Sequence, residues 1–326
     1  MSTLLRRTLY TLVAGVLLYV AAILYPDIGP VRETLRGYRW QAFGMALLLS
    51  SGNYLLRFAK WEIALSWLKV REQAPGLTRK RSLVIYLAGL SMSITPGKVG
   101  EVLRSTLLKA SDGVPFTKTA PIVVADRLTD LVALVVLSLA GVAQYPDYVP
   151  LMLATMVLVI LGVVVLGSPR LLRGTLRLIA RVPGLRGLTE RAAPLVDSSA
   201  AILDIRPLAA LTALSIVGWG LECVGFWLIL QGFAGVEATL PLCAFLWSAG
   251  TLVGALSFLP GGLGATEGSL MYATMRLVAG ATQPIAMAAA LLGRLATLWY
   301  GELVGGIALA IFLRDPAVRQ RAMHND

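Results

Sequence analysis

Histidine is all but missing from this chain of 326 residues: the single copy, His324, lies in the polar C-terminal tail. That excludes histidine-based acid–base catalysis and histidine metal sites in the body of the protein. Cysteine is nearly as scarce. Cys223 and Cys243 stand in apolar surroundings with no C-x-x-C spacing, so packing, rather than metal or redox chemistry, is their expected role. Charge is sparse too, at 14% against 57% hydrophobic residues with a mean hydropathy of +0.74, which excludes an ordinary soluble domain. Acidic residues are the scarcer sign, 18 against 29 basic, giving a net charge of +11. Nucleic acid is not the expected partner, because the basic residues gather between apolar segments on one side. No cofactor and no metal is expected.

What is present is apolar sequence in lengths that cross about 30 Å of hydrocarbon, which takes about 20 residues. Six crossings are expected: Leu9 to Tyr25, Trp40 to Trp61, Pro121 to Val142, Val149 to Leu166, Leu208 to Phe233 and Ile285 to Leu313. The first resembles a signal peptide but is read as a retained span, since Ala21-Ala22 is a weak cleavage signal and further spans follow. Two apolar regions are broken. Ser82 to Lys109 breaks at Pro96-Gly97 into halves too short to span, and reads as a re-entrant hairpin. Leu240 to Gly280 breaks at Pro260-Gly261-Gly262 into halves near spanning length, so it either turns inside the membrane or reaches the far surface. Both return to the side they left. The fold class is therefore an all-α integral membrane protein, one polytopic domain over 1–326.

Under this topology the basic residues fall mainly on one side, from Arg6 and Arg7 through Arg79 to Arg81 and Arg170 to Arg206 to Arg321. Both termini are placed in the cytoplasm of a multi-pass protein of the cell membrane. The loop 168–207 repeats arginine at 170, 173, 177 and 181, one face of an amphipathic helix suited to the anionic inner leaflet; a solvated cytoplasmic helix is the alternative.

The sequence repeats itself. "SITPGKVGE" at Ser93 to Glu101 corresponds to "SFLPGGLGATE" at Ser257 to Glu267, and downstream R-L-x-T occurs at Arg127 and at Arg294. Repeat 1 covers about 40–143 and repeat 2 about 208–313, each a span, a broken hairpin and a span carrying an arginine. Three crossings separate equivalent points. An odd number makes the copies face opposite ways, an arrangement whose helix breaks mark the binding site in secondary transporters.

The breaks carry the chemistry. Pro96 removes a backbone donor, Gly97 permits unusual dihedrals, and the half-helix starting near Gly97 to Gly100 directs N–H groups into the membrane interior, where a phosphate or carboxylate suits them. Lys98 adds a point charge. Pro260, Gly261, Gly262 and Gly264 offer the same backbone without the lysine. Glu101 and Glu267 sit in the first turns, with Arg127 and Arg294 as their expected partners. Asp126 and Asp130 share a helical face and are expected to fasten Arg104 or Lys118, while Arg57 and Lys60 are expected to snorkel from the end of their span. Glu222, in mid-span without an evident local partner, is a candidate for a cavity wall or proton site. Gly301 and Gly305 read as a close helix contact.

At "TPGKVGE", "ADRLTD" and "LPGGLGATEG" the chain resembles the lysylphosphatidylglycerol synthase transmembrane-region family, the flippase-like membrane domain found in the multiple peptide resistance factor. The resemblance implies a protein that moves a lipid, or supports its movement, between leaflets, with Pro96, Gly97, Gly100, Glu101, Asp126, Arg127, Pro260, Gly261, Gly264 and Glu267 as the matching positions. Lys98 stands where the family often has arginine, which replaces a bidentate clamp by a point charge. The chain ends at Asp326 without an aminoacyltransferase domain and is not expected to make aminoacylated lipid. The leading expectation is a lipid flippase or transporter, not an enzyme. Its partners are membrane lipids: an anionic or zwitterionic phospholipid, or a polyprenyl phosphate. The rivals are a non-transporting anchor or regulator of a separate lipid synthase, and an enzyme acting on lipid headgroups. A lipid synthase and a second copy of the chain are the candidate protein partners.

Overall fold

In the computed structural model, residues 29–95, 100–142, 168–179, 204–257 and 259–315 are described, with scattered positions between 149 and 165 and at 181 and 202. α1 (Gly29–Arg36) leads into α2 (Trp40–Trp67), which continues well past the expected end at Trp61. α3 (Arg79–Ala88), a 3-10 turn (Gly89–Met92) and α4 (Gly100–Asp112) form the first hairpin. α5 (Phe116–Val142), α6 (Pro169–Ile179) in the basic loop and α7 (Ile205–Gln231) follow. The second hairpin is α8 (Leu240–Leu256), a 3-10 turn (Pro260–Gly262) and α9 (Ala265–Leu277). α10 (Gln283–Arg294) continues through a π turn (Leu295–Trp299) into α11 (Tyr300–Arg314).

Among the described residues two helices, Ile205–Gln231 and Gln283–Arg314, are long and apolar enough to cross a membrane. α2 and α5 match them in length, with 28 and 27 residues, but carry Arg57 and Lys60, and Asp126, Arg127 and Asp130. Along the outside stand Leu48, Leu55, Leu303, Ile307 and Ile311, large apolar side chains suited to lipid contact. The expected crossing from Leu9 to Tyr25 lies outside the described residues, and that from Val149 to Leu166 largely does.

Local chemistry sets the helix ends. Thr78 Oγ1 accepts from the Arg81 N–H at 3.2 Å, Asp204 accepts from Ile205 N–H at 2.8 Å, and Thr239 opens α8 with Pro241 in its first turn. Where the first hairpin breaks, the helix tightens to i→i+3 bonds, with Ser93 N–H donating to Leu90 O and Thr95 N–H to Met92 O, each at 3.1 Å. Three hydroxyls add further donors along this turn: Ser91 donates to Ala88 O at 2.7 Å, Ser93 to Leu90 O at 2.8 Å and Thr95 to Met92 O at 2.6 Å. Ser257 repeats the Ser93 bond in the second hairpin, donating to Gly254 O at 2.7 Å.

α2 and α7 form the axis of the molecule and run antiparallel, since Ala46 meets Gly225, Asn53 meets Glu222 and Lys60 meets Ser215. An apolar core surrounds each end. One gathers Trp61, Tyr86, Leu108 and Phe312 around the first hairpin; the other gathers Phe226, Phe245, Trp247 and Leu270 around the second. The two hairpins thus enter from opposite ends of the α2–α7 pair. At its base the first is fastened by Arg81, which reaches Asp112 at 3.7 Å and Asp315 at 3.1 Å. The second closes where Glu237 N–H donates to Ala279 O at 3.0 Å, an isolated bridge and the one strand-like pairing among the described residues.

The first arm of hairpin one lies antiparallel on α11, with Arg81 beside Asp315, Ser91 beside Gly305 and Ile94 beside Glu302. From Arg81 to Ile94 a helical path rises about 20 Å. The tips then meet, with Gly261 packed against Ile94 so closely that an added Cβ would lie 3.3 Å from the Ile94 Cα. Gly305 makes this packing possible, because a Cβ there would overlap the Ser91 amide nitrogen. Gly305→Ala is expected to push α11 off the hairpin and cost about 1–3 kcal/mol, read as a lower thermal midpoint of the purified protein, whereas Gly306→Ala, with nothing within 4 Å, leaves it unchanged.

Candidate functional site

The second hairpin tip holds the expected pair. Gly261, Gly262 and Gly264 have φ of 60°, 67° and 82°, a left-handed run that only glycine tolerates at little cost. The turn carries the chain into α9, whose first turn contains Glu267. Glu267 Oε1 accepts from Arg294 Nε at 2.7 Å and Oε2 accepts from the Gly264 N–H at 2.7 Å, while Arg294 Nη2 donates to the Gly261 carbonyl. Arg294 is buried at the last turn of α10, immediately before the π turn. Gly264 and Gly268 face open space on either side of Glu267.

Three of the backbone donors expected to await an anion here, those of Gly262, Leu263 and Gly264, are already engaged. Gly262 N–H donates to Leu259 O at 2.9 Å and Leu263 N–H to Pro260 O at 3.0 Å, and Gly264 N–H serves Glu267. The tip is an arginine neutralised by an internal carboxylate rather than a bare nest of N–H groups. At the first tip a residue the sequence did not single out does similar work: buried Glu302 of α11 accepts from Ile94 N–H at 2.8 Å. Gly100 opens α4; Pro96, Gly97, Lys98 and the side chain of Glu101 lie outside the described residues, so the Glu101–Arg127 pairing does too, and Arg127 itself is half-buried on α5.

A second charged assembly lies where α2, α4, α5 and α7 converge. Arg57 and Lys60 do not snorkel. Lys60 is 1% exposed, and its Nζ reaches Asp126 Oδ1 at 3.0 Å, Asp130 Oδ1 at 3.1 Å, Thr129 Oγ1 at 2.8 Å and Ser215 Oγ at 2.7 Å. Arg57 pairs with Asp130 Oδ2 at 2.6 Å and lies over the Trp219 ring. Arg104 approaches Asp126 Oδ2 at 3.6 Å and stacks 4.1 Å from the Tyr86 ring centre, with Gly89 leaving room for its stem. Asp126 therefore fastens Arg104, as expected, but the main partner of the aspartates is Lys60; a Lys118 contact is not what holds them. Glu222 is not isolated either: it accepts from Asn53 Nδ2 and, at 3.2 Å, from Trp247 Nε1. The signal for this assembly was a mismatch of sign between spans, two cations in one and two carboxylates in another, since charges at this depth pair.

The family described as lysylphosphatidylglycerol synthase TM region matches residues 12–305, a stretch that takes in both hairpins and the charged assembly. The chain belongs to this family. Three proteins of Methanothermobacter thermautotrophicus, each described as a UPF0104 membrane protein, are similar to this family member over nearly its whole length. One is 23% identical over 320 residues, covering 92% of each chain. The others are each 24% identical, over 328 residues (92% of this chain, 94% of the relative) and 332 residues (93% of both). This family member is thus a helical membrane protein, and the relatives match it without large unmatched regions.

Proposed function

We propose that the protein is a lipid flippase, or lipid transporter, that moves a phosphate-bearing lipid between leaflets of the cell membrane, with both termini cytoplasmic. The observation that carries this reading is the meeting of two broken hairpins from opposite ends, Gly261 against Ile94, with Arg294 and Glu267 beside the contact. The reading treats residues 40–143 and 208–313 as inverted repeats. Antiparallel α2 and α7 support it, as does the reciprocal packing in which α8 lies on α5 while α3 lies on α11. So do Ser93 and Ser257, which make the same bond at equivalent positions. Oppositely oriented repeats can exchange conformations about a fixed central site, which is how alternating access arises.

A lipid keeps its tails in hydrocarbon while only its headgroup needs a polar path. Arg294 and the open space beside Gly264 supply one end of such a path on the second hairpin. Two carboxylates, Glu267 and Glu302, brace the tips, and the reading assigns transport rather than catalysis. α6 exposes Arg170, Arg173 and Arg177 together with Leu171 and Leu178, which suits a helix lying on the anionic inner leaflet and favours, as the second reading, an anchor for a lipid-modifying synthase.

The test is reconstitution into liposomes with headgroup-labelled lipids and chemical quenching of the outer leaflet. Accelerated exchange of an anionic phospholipid, a zwitterionic one or a polyprenyl phosphate is expected, with and without a proton gradient. No acceleration of any of these over empty liposomes sinks the transport reading and moves the anchor ahead. For the topology, single cysteines in a background lacking Cys223 and Cys243 are expected to react with an impermeant reagent from outside at Glu237 but not at Arg173.

A further inference from the structure

The Lys60 ammonium occupies a cage built from lone pairs. Its four oxygens stand at 2.7 to 3.1 Å: Ser215 Oγ, Thr129 Oγ1, Asp126 Oδ1 and Asp130 Oδ1. Both hydroxyls direct their protons elsewhere, Ser215 to Asp130 Oδ1 at 2.9 Å and Thr129 to the Ala125 carbonyl at 2.7 Å, so each presents an acceptor to the centre. The outer oxygens of the aspartates are turned away to arginines, Asp126 Oδ2 to Arg104 and Asp130 Oδ2 to Arg57.

The geometry points to a monovalent-cation site in which Lys60 is the tethered occupant. An acceptor-only cage of hydroxyl and carboxylate oxygens is what a hard cation selects. The size of the cage and its lack of excess negative charge both argue against a divalent ion. Each aspartate already shares its charge with an arginine, and the spacing is longer than the 2.0–2.1 Å of magnesium or the 2.3–2.6 Å of calcium, which also takes six to eight oxygens. Ammonium, potassium and rubidium fit such a spacing. The occupant joins α2, α5 and α7, so a free ion there would make the join depend on salt. A covalent stem removes that dependence, because the ammonium is present at high effective concentration whatever the solution contains. The wild-type protein is therefore independent of alkali cations at this point, and removal of the stem opens the cage to them.

The experiment compares wild type, Lys60→Ala, Lys60→Gly and Lys60→Met, purified in chloride salts of ammonium, potassium, rubidium, sodium or choline at equal ionic strength. In choline the Ala and Gly variants are expected to melt well below wild type, and to rise by roughly 3–10 °C with ammonium or potassium. Propylammonium, which restores most of the missing stem, raises Lys60→Gly. Radioactive rubidium in equilibrium dialysis is expected to approach one ion per chain in Lys60→Ala, and to be lost when Asp130→Asn is added. Lys60→Met fills the space with a thioether, so no cation rescues it. If ammonium, potassium and propylammonium all fail to stabilise the Ala and Gly variants, or if those variants are unfolded in every salt, the proposal is overturned. Rubidium binding by wild type that Asp130→Asn removes also overturns it, since the cage would then not be filled by Lys60. None of these readouts depends on lipid transport.

Discussion

Lys60→Met is expected to destabilise the folded protein by about 1–3 kcal/mol, because it strips the inner oxygens of two buried carboxylates of their donor while only the arginines on the outer oxygens remain. The inner oxygens of Asp126 and Asp130 face Lys60 Nζ and nothing else of positive charge among their described contacts, with Arg104 and Arg57 on the outer oxygens. Methionine has nearly the length of the stem, so the loss is electrostatic rather than a cavity. The check is a double-mutant cycle on thermal unfolding in detergent. Asp130→Asn alone strands Lys60 in part, whereas Lys60→Met with Asp130→Asn removes one charge of each sign. The pair is expected to be less destabilised than the sum of the two singles by more than 1 kcal/mol. Additive effects would show that the charges act separately. Glu62→Gln with Arg71→Gln serves as the contrast: that pair is more exposed, so its charge coupling is expected to be smaller, below about 1 kcal/mol, even though Glu62 also accepts from Ser82 and Arg71 also donates to Leu77 O.

The positions that break helices were legible in the sequence because proline and glycine act locally. Pro260, Gly261 and Gly262 end one arm whatever surrounds them, and the left-handed dihedrals at Gly261, Gly262 and Gly264 follow from residue type. The Glu267–Arg294 pair was also legible, since an arginine inside the membrane has to meet a carboxylate and the repeat offered one. The engagement of the tip N–H groups was legible only in part. A glutamate three residues after Gly264 is one half of a capping box, and that spacing does foretell the Gly264 bond. The Lys60 assembly escaped for a different reason. A span ending at Trp61 puts Lys60 at its edge, free to snorkel; α2 runs on to Trp67 and carries the lysine two turns inward from the helix end. Glu302 escaped because it caps a break that is more than two hundred residues away in sequence, so no local pattern marks it.

These two charged sites differ in how they are closed. At Lys60 four of the five charges, Lys60, Arg104, Asp126 and Asp130, are buried among four helices, and Arg57 is half-buried at the edge. At Arg294 the arginine is buried but its carboxylate is not, and the glycines flanking Glu267 border open space. Sealed pairs hold helices in register, while a pair with one partner at an opening can be exchanged for a ligand of the same charge. Under the transport reading Glu267 is therefore the internal anion that a lipid phosphate displaces from Arg294.

Glu267→Gln is accordingly expected to strengthen, not weaken, the retention of phosphate-bearing lipid. The glutamine oxygen can still accept from the Gly264 N–H, so the start of α9 is kept, but Arg294 Nε loses its charged partner. An incoming phosphate then binds Arg294 without competing against a carboxylate already in place, and charge-assisted bonds of this kind are the stronger ones. Removing the competitor is expected to raise retained anionic lipid on the order of tenfold, about 1.4 kcal/mol, in native mass spectrometry of the gently purified protein. Exchange in liposomes is expected to slow, because tighter holding in the middle of the path delays release. Arg294→Gln reverses the first effect: retention falls, since the phosphate loses its cation, and Glu267 is left without its partner. If Glu267→Gln lowers the melting temperature and leaves lipid retention unchanged, the pair only fastens the hairpin to α10. The headgroup path then has to be sought at the first tip, where Glu302 holds Ile94.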